Sequence, residues 1–294
     1  MYKLSSFSFL AFVDCPCAWY FQNVEHVKKQ KNIYALLGNC VNMFISYWMH
    51  RKTSDGRSLY YKSAEKAANS FWRYFYDTLG NTRHLRRHYS KEEIREQANY
   101  GRQCVITYWN QNCINPRPKE IKRRYSVTNP FNLPVTVFLV IDQVRGIPLQ
   151  KINKYNPGIV KHGRLDSLYT PLVPIVLRTN RNGYKPFGEN GCYKTKFDLL
   201  ASLNTYFIYK DTNKLPVNFC LYQLGDGKFW RKVVTDFDIL EEYLTLFAES
   251  LHTENYPKTL DELKCRNCDF AFQCSGAYSD PIFSEEKYVQ KGLF

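Results

Sequence analysis

Cys265-Arg266-Asn267-Cys268-Asp269-Phe270-Ala271-Phe272-Gln273-Cys274, near the end of the chain, is the stretch from which the rest is read. Three cysteines at this spacing, with no other sign of secretion, read as metal ligands rather than disulfide partners, because thiolates closing a tight loop converge on one point. A fourth ligand is required. Cys15 is the candidate, in Asp14-Cys15-Pro16-Cys17 behind the aromatic run from Phe7 to Phe12. A shell of thiolates accepts either an iron–sulfur cluster or zinc. A single Cys-x-x-Cys knuckle with a lone third cysteine and a distant partner favours the cluster, since zinc ribbons bring two such knuckles together. Buried thiols acting as small hydrophobes are the remaining reading. Cys40, Cys104, Cys113, Cys192 and Cys220 show no paired spacing and read as ordinary core or surface thiols.

With 294 residues, 23 Tyr, 20 Phe and 5 Trp, the chain can fill one large core or two modest ones without disulfides. A formal charge of +14 fits a polyanionic partner, because Lys and Arg against phosphates release counterions. The cations cluster in Lys28-Lys29-Gln30-Lys31, Arg83-His84-Leu85-Arg86-Arg87-His88 and Lys119-Glu120-Ile121-Lys122-Arg123-Arg124, each bordered by aromatic or apolar residues. Such runs read as nucleic-acid contacts or, more simply, as solvated faces. No apolar run reaches the roughly 18 residues of a spanning helix, so no membrane partner is expected. The segment Ser5-Ser6-Phe7-Ser8-Phe9-Leu10-Ala11-Phe12-Val13 mimics a signal peptide, but serines break it and no small-x-small site follows. A reducing, cytoplasmic compartment is the expectation.

Ser5 or Ser6 caps a first helix that leads into the Cys-Pro element, with Trp19, Tyr20 and Phe21 beneath the cysteines. Helices are predicted over 35–49, over 61–79 and, from the capping box Ser90-x-x-Glu93, to about Asn112. After Pro116-Arg117-Pro118 the period changes, and Val135, Val137, Leu139 and Ile141 alternate as a strand that Gly146 turns. Extended segments are predicted over 158–168, 173–179 and 216–224. A helix spans 196–210, Gly225-Asp226-Gly227 turns a hairpin into 229–234, and a last helix covers 238–252. The expected class is α+β or α/β. Its parts are an N-terminal helix with the first ligand (1–34), a helical region (35–118), a sheet core (119–236), and a final helix with its cysteine loop (237–294).

Several of these residues together resemble the iron–sulfur branch of the PD-(D/E)XK nuclease superfamily, the RecB-like exonucleases of spacer acquisition and recombination helicase–nucleases. The resemblance is carried by Ser8-Phe9-Leu10 leading to Cys15-Pro16, Gly38-x-x-x-Asn42, Gly163-Arg164-Leu165-Asp166, Pro174-Ile175-Val176-Leu177-Arg178-Thr179, the helix through Tyr206, and Cys265-x-x-Cys268 with Cys274. It implies a restriction-endonuclease-like mixed sheet flanked by helices, and a 4Fe–4S cluster on Cys15, Cys265, Cys268 and Cys274, with zinc as the alternative.

In that family a strand acid and an acid-x-Lys on the next strand hold a divalent cation that activates water, a His adds a ligand, and a Gln-x-x-x-Tyr helix supports DNA. Here Asp166 matches the first acid and Tyr206 the last aromatic, whereas Val176 stands at the second acid, Arg178 at the Lys, Asn42 at the His and Ser202 at the Gln. Losing a carboxylate to Val removes an oxygen ligand, and Arg cannot position water as Lys does, although it grips phosphate well. The resemblance therefore implies a DNA-binding protein with a degenerate, inactive site, working with protein partners. Its expected nucleic-acid contacts are Arg83, Arg86, Arg87, Lys122, Arg123, Arg124, Arg164, Arg178 and Arg181.

Alternatives stay open. An active exonuclease using Mg²⁺ or Mn²⁺ would recruit Glu189 or Asp198 with Lys194 or Lys196, or use Asp142 in place of Asp166. Asp166 also reads as a turn-capping carboxylate, Arg178 as an exposed strand end, and Tyr206 as core. A zinc-stabilised protein–protein adaptor, with incidental basicity, is the remaining class. His26, His50 and His162 have no ligand spacing.

Overall fold

Side-chain period and capping chemistry account for most of the elements. The computed structural model describes residues 1–27, 32–49, 63–82, 85, 88–112, 118–179, 194–259, 265, 268–271 and 273–274. The basic run 28–31, the loop 52–57, His50, Arg83, Arg86, Arg87, Cys113, Arg181, Glu189, Cys192 and the tail beyond 274 lie outside the described residues. The class is α+β, a mixed central sheet flanked by helices. The chain divides into two compact units, the first made of Met1–Gln30, Thr128–Val137 and Leu240–Phe294, the second of Lys31–Val127 and Phe138–Ile239.

In the first unit β1 (Tyr2–Ser5) leads into α1 (Ser6–Asp14), where Ser5 accepts the Ser8 N–H at 3.0 Å. One continuous helix was expected here. Instead the chain breaks at extended Cys15 (φ −165°), and Pro16 restarts it as α2 (Pro16–Asn23). A proline has no N–H to give and is favoured in a first turn, so Cys15 ends one helix and opens the next. The final helix, α8 (Asp238–Thr253), contributes Phe247 to a buried aromatic knot. Phe247 sits edge-on to Phe12 at 5.0 Å and to Trp19 at 5.2 Å, and the Trp19 indole donates to Ser8 Oγ at 2.7 Å.

In the second unit, α3 (Ile33–Met43) continues into a wider π turn at 44–48, α4 spans Ala64–Gly80, and α5 spans Lys91–Asn112. The capping box forms as expected: Ser90 N–H donates to Glu93 Oε2 at 2.8 Å, and Glu93 N–H to Ser90 Oγ at 3.1 Å. A side chain at Gly101 would meet the Phe71 ring at 2.4 Å, so glycine is what lets α5 close on α4.

The sheet of the second unit runs β3-β7-β9-β10 with β2 also on β3, where β2 is Glu120–Thr128, β3 Val135–Gly146, β7 Leu172–Arg178, β9 Phe219–Gln223 and β10 Lys228–Lys232. β3 and β7 are antiparallel, β7 and β9 parallel, and β9 and β10 antiparallel. The parallel step needs a crossover, supplied by α7 (Thr195–Thr212). Between β3 and β7 lie the short α6 (Leu149–Tyr155), a hairpin of β4 (Val160–Lys161) and β5 (Arg164–Leu165), and β6 (Tyr169–Thr170), which pairs in parallel with β8 (Leu215–Pro216).

Pairing registers place Gln143, Ile175, Cys220 and Arg231 in one row across the sheet. Period two then puts Arg145, Val173 and Tyr222 on that same face, and Val176, Leu221 and Trp230 on the other. Val173, Ile175, Leu177, Cys220 and Tyr222 share a core with apolar residues of α3, α4 and α5.

Candidate functional site

The polar centre of the second unit forms where β3 and β7 part. Their ladder runs from Gly146↔Leu172 to Gln143↔Ile175 and no further, and the next step would set Asp142 against Val176. There the Asp142 side chain takes over as acceptor, its Oδ2 receiving the Leu177 N–H at 2.8 Å. Its Oδ1 accepts from Lys122 Nζ at 2.5 Å and from Asn42 Nδ2 at 3.1 Å. Ser46 Oγ donates in turn to Asn42 Oδ1 at 3.4 Å.

Each donor is aimed by a local device. Lys122 has φ +50° inside β2, a left-handed conformation that costs a non-glycine residue energy and re-aims its side chain, as bulges do beside sites. Asn42 is carried by α3, and Gly38, one turn earlier, brings that helix against the end of β7, since a Cβ there would lie 3.2 Å from Thr179 Oγ1. The Lys122 and Asp142 side chains are only 16% and 10% exposed, so this ion pair is desolvated and neither partner is dispensable. Asp142 faces three protein donors, and no carboxylate is among its hydrogen-bond partners within the described residues. Val176 occupies the neighbouring strand position.

Asp166, matched to the first acid, sits elsewhere, on the loop after β5. Its Oδ1 accepts the Leu168 N–H at 3.0 Å, and it lies 3.9 Å from the exposed Lys161 ammonium. The Gly163-Arg164-Leu165-Asp166 motif is thereby a hairpin turn, with His162 and Gly163 both at positive φ as a type I′ turn requires. Arg178 closes β7 opposite Gln223. Tyr206 is buried against Phe207 and Phe237, with Lys210 Nζ 5.3 Å over its ring, and Ser202 is buried on the same helix. Asp198 is paired to Lys232 at 2.6 Å, and Lys194 precedes α7 without capping it through its side chain.

Among the basic residues, Arg123 is held by Glu120, by both oxygens of Asp211 at 3.0 and 2.9 Å, and by the Tyr125 ring at 4.8 Å. Lys122 is engaged with Asp142, which leaves Arg124 and Arg164 as the exposed members of the described set. Lys122 was expected among the phosphate contacts. A lysine and an acid that alternate with unrelated neighbours carry no local signal that they meet; only the β2–β3 pairing brings them together.

The thiols form the second candidate. Within the first unit, Cys17 donates its N–H to Pro257 O at 3.3 Å, which ties α2 to the chain leading to the cysteine loop. Burial first, then the nearby Cys274 and Cys15, push the Cys17 thiol up to about 11. Burial also raises Cys268, with Cys15 and Cys265 adding to the shift, while the Phe270 N–H, 3.4 Å from Cys268 Sγ, works against it. Cys268 thus feels the charge of Cys15 and Cys265, and Cys17, not counted among the ligands from the spacing, feels that of Cys274 and Cys15. No disulfide joins the described cysteines. All the donors are soft sulfur, and an amide already points at one of them, which suits zinc or iron–sulfur chemistry. Among the described residues, however, no three His, Cys, Asp or Glu side chains are gathered for a single ion. The donor set fits a thiolate-bound group in kind, and Cys17 adds a sulfur to the four that the spacing named.

No family model and no curated protein matches the chain. Among solved structures, the crystal structure of SSO0001 is similar over 92% of this chain and 95% of that one, at 9% identity and a TM-score of 0.34. Likeness at that level carries no argument about activity. No helix among the described residues is long and apolar enough to cross a membrane.

Proposed function

We propose that the chain is a nucleic-acid-binding protein built on a nuclease-like core whose catalytic site is degenerate, with a 4Fe–4S cluster on its cysteines and a role inside a larger DNA-processing or defence assembly. The observation that carries the reading is the Asp142 cage. A strand acid flanked by a helix-borne Asn42 and a lysine is the kind of constellation a metal-dependent nuclease uses. Here the second carboxylate is replaced by Val176, and the lysine is spent on the acid itself. A hard cation needs several oxygens, and one carboxylate already bonded to three donors offers too few. The core keeps the frame of the site without the means to polarise a phosphate or activate water.

Binding is supported by the charge of +14 and by exposed cations such as Arg124 and Arg164. On this reading, fluorescence anisotropy with single- and double-stranded DNA gives affinity that falls steeply with salt, log K against log salt having a slope near −0.9 per phosphate contacted on duplex. With Mg²⁺ or Mn²⁺ present, neither substrate is cut. Robust cutting lost in Asp142→Ala overturns the degenerate reading, and cutting lost in Asp166→Ala but kept in Asp142→Ala restores the acid named by the motif. Anaerobic purification with a visible spectrum and iron, sulfide and zinc analysis separates the cluster from zinc.

A further inference from the structure

The sheet face opposite Val176 and Leu221 lines an open cavity of about 270 Å³ that the Asp142 cage does not use. Its chemistry follows from the strand registers. Arg145 on β3, Asn218 just before β9 and Arg231 on β10 all project to this face, over an apolar floor of Val173, Ile175 and Cys220. Lys151 of α6 adds a third cation, and none of the described lining residues is Asp or Glu.

The two guanidiniums are held in place. Arg145, only 9% exposed, donates from its guanidinium to Gln143 Oε1 at 2.9 Å and lies 3.4 Å from Tyr108 Oη. Arg231 lies over the Phe229 ring at 5.8 Å, and that ring is itself stacked on Tyr222 at 4.1 Å. Asn218 is 7% exposed, and its Oδ1 has no hydrogen-bond partner, which a buried acceptor tolerates poorly.

We infer that this cavity is a binding site for an organic phosphate monoester of about mononucleotide size. Three cations match a dianionic phosphate better than a single carboxylate, and a planar guanidinium suits phosphate geometry. The apolar floor receives the organic body. Asn218 adds an amide side chain to the wall. The site stands apart from the DNA-binding proposal and can fail without it. The same phosphate can belong to a free mononucleotide or to the 5′ end of a strand.

The test is calorimetric titration of the full chain with AMP, adenosine and inorganic phosphate. AMP is expected to bind and adenosine not to, with inorganic phosphate competing weakly. Arg231→Gln and Lys151→Gln, both at exposed positions, are each expected to weaken AMP at least tenfold while leaving the melting temperature without ligand unchanged. Failure of AMP to bind, or binding that both variants leave intact, overturns the inference. A 5′-phosphorylated oligonucleotide that competes better than its 5′-hydroxyl twin, and only when Arg231 is present, assigns the site to strand ends; equal competition assigns it to free mononucleotides.

Discussion

The Asp142 carboxylate of the second unit and the Cys17 thiol of the first are both buried, and the protein treats them in opposite ways. Around Asp142 the donors come from β2, from α3 and from the backbone of β7, and both oxygens are met. Around Cys17 burial comes first and the thiols Cys274 and Cys15 add to it, so its pKa rises to about 11. A group whose partners are internal is complete as folded. On the proposed reading, the thiols are complete only when a metal takes their protons and shares their charge. The contrast is between a carboxylate met by donors on both oxygens and a thiol whose neighbours include further thiols.

The largest effect is expected on the thiol side. Cys268→Ser should abolish bound metal and any visible absorption, and should open the first unit to protease while the second persists, checked by metal analysis and limited proteolysis. A wild-type chain that is colourless and metal-free after anaerobic purification would break the comparison. Next comes Asp142→Ala, which strands a desolvated lysine and a strand N–H. It should cost about 3–5 kcal/mol, read as a lower urea midpoint. Lys122→Met with Asp142→Leu, removing both charges at once, should recover much of that loss.

A pH effect of intermediate size sharpens the contrast by using a thiol of the second unit. Burial raises Cys220 to about 12, against 9.0 unperturbed. Below pH 9 the folded and unfolded chains are equally protonated there, and stability is intact. As pH rises toward 12 only the unfolded chain loses its proton, so folding weakens, by about 2 kcal/mol at pH 10.5. Cys220→Ala should flatten the fall in melting temperature between pH 8 and 10.5 relative to wild type. The smallest change is expected from Asp166→Ala. It loses one turn hydrogen bond and a surface ion pair, about 0.5–1 kcal/mol, and a loss as large as that of Asp142→Ala would return Asp166 to the centre of the site.

Much of the architecture was legible because it is local. The apolar stripe of α4, the Ser90–Glu93 box, the alternation opening β3 and the turn before β10 all appear where periodicity and turn chemistry put them. β2 was missed, since Lys119 to Arg124 was read for its charge and not for its strand pattern. The motif pointed to Asp166, yet Asn42 of the same motif set lies on Asp142, because an acid is recruited by what its strand pairs with.

By itself the sequence determined the helices and their caps, the change to a sheet after residue 118, the excess of positive charge, and the cysteines as the residues to watch. Only the tertiary structure decided which acid is caged, that Lys122 serves it through a left-handed backbone, that Cys17 joins the thiols, and that Arg145 and Arg231 share a cavity. The reason is range. Caps and periods are set within a few residues along the chain, whereas these groupings depend on the register between segments far apart in it, where a shift of one residue turns every side chain to the other face.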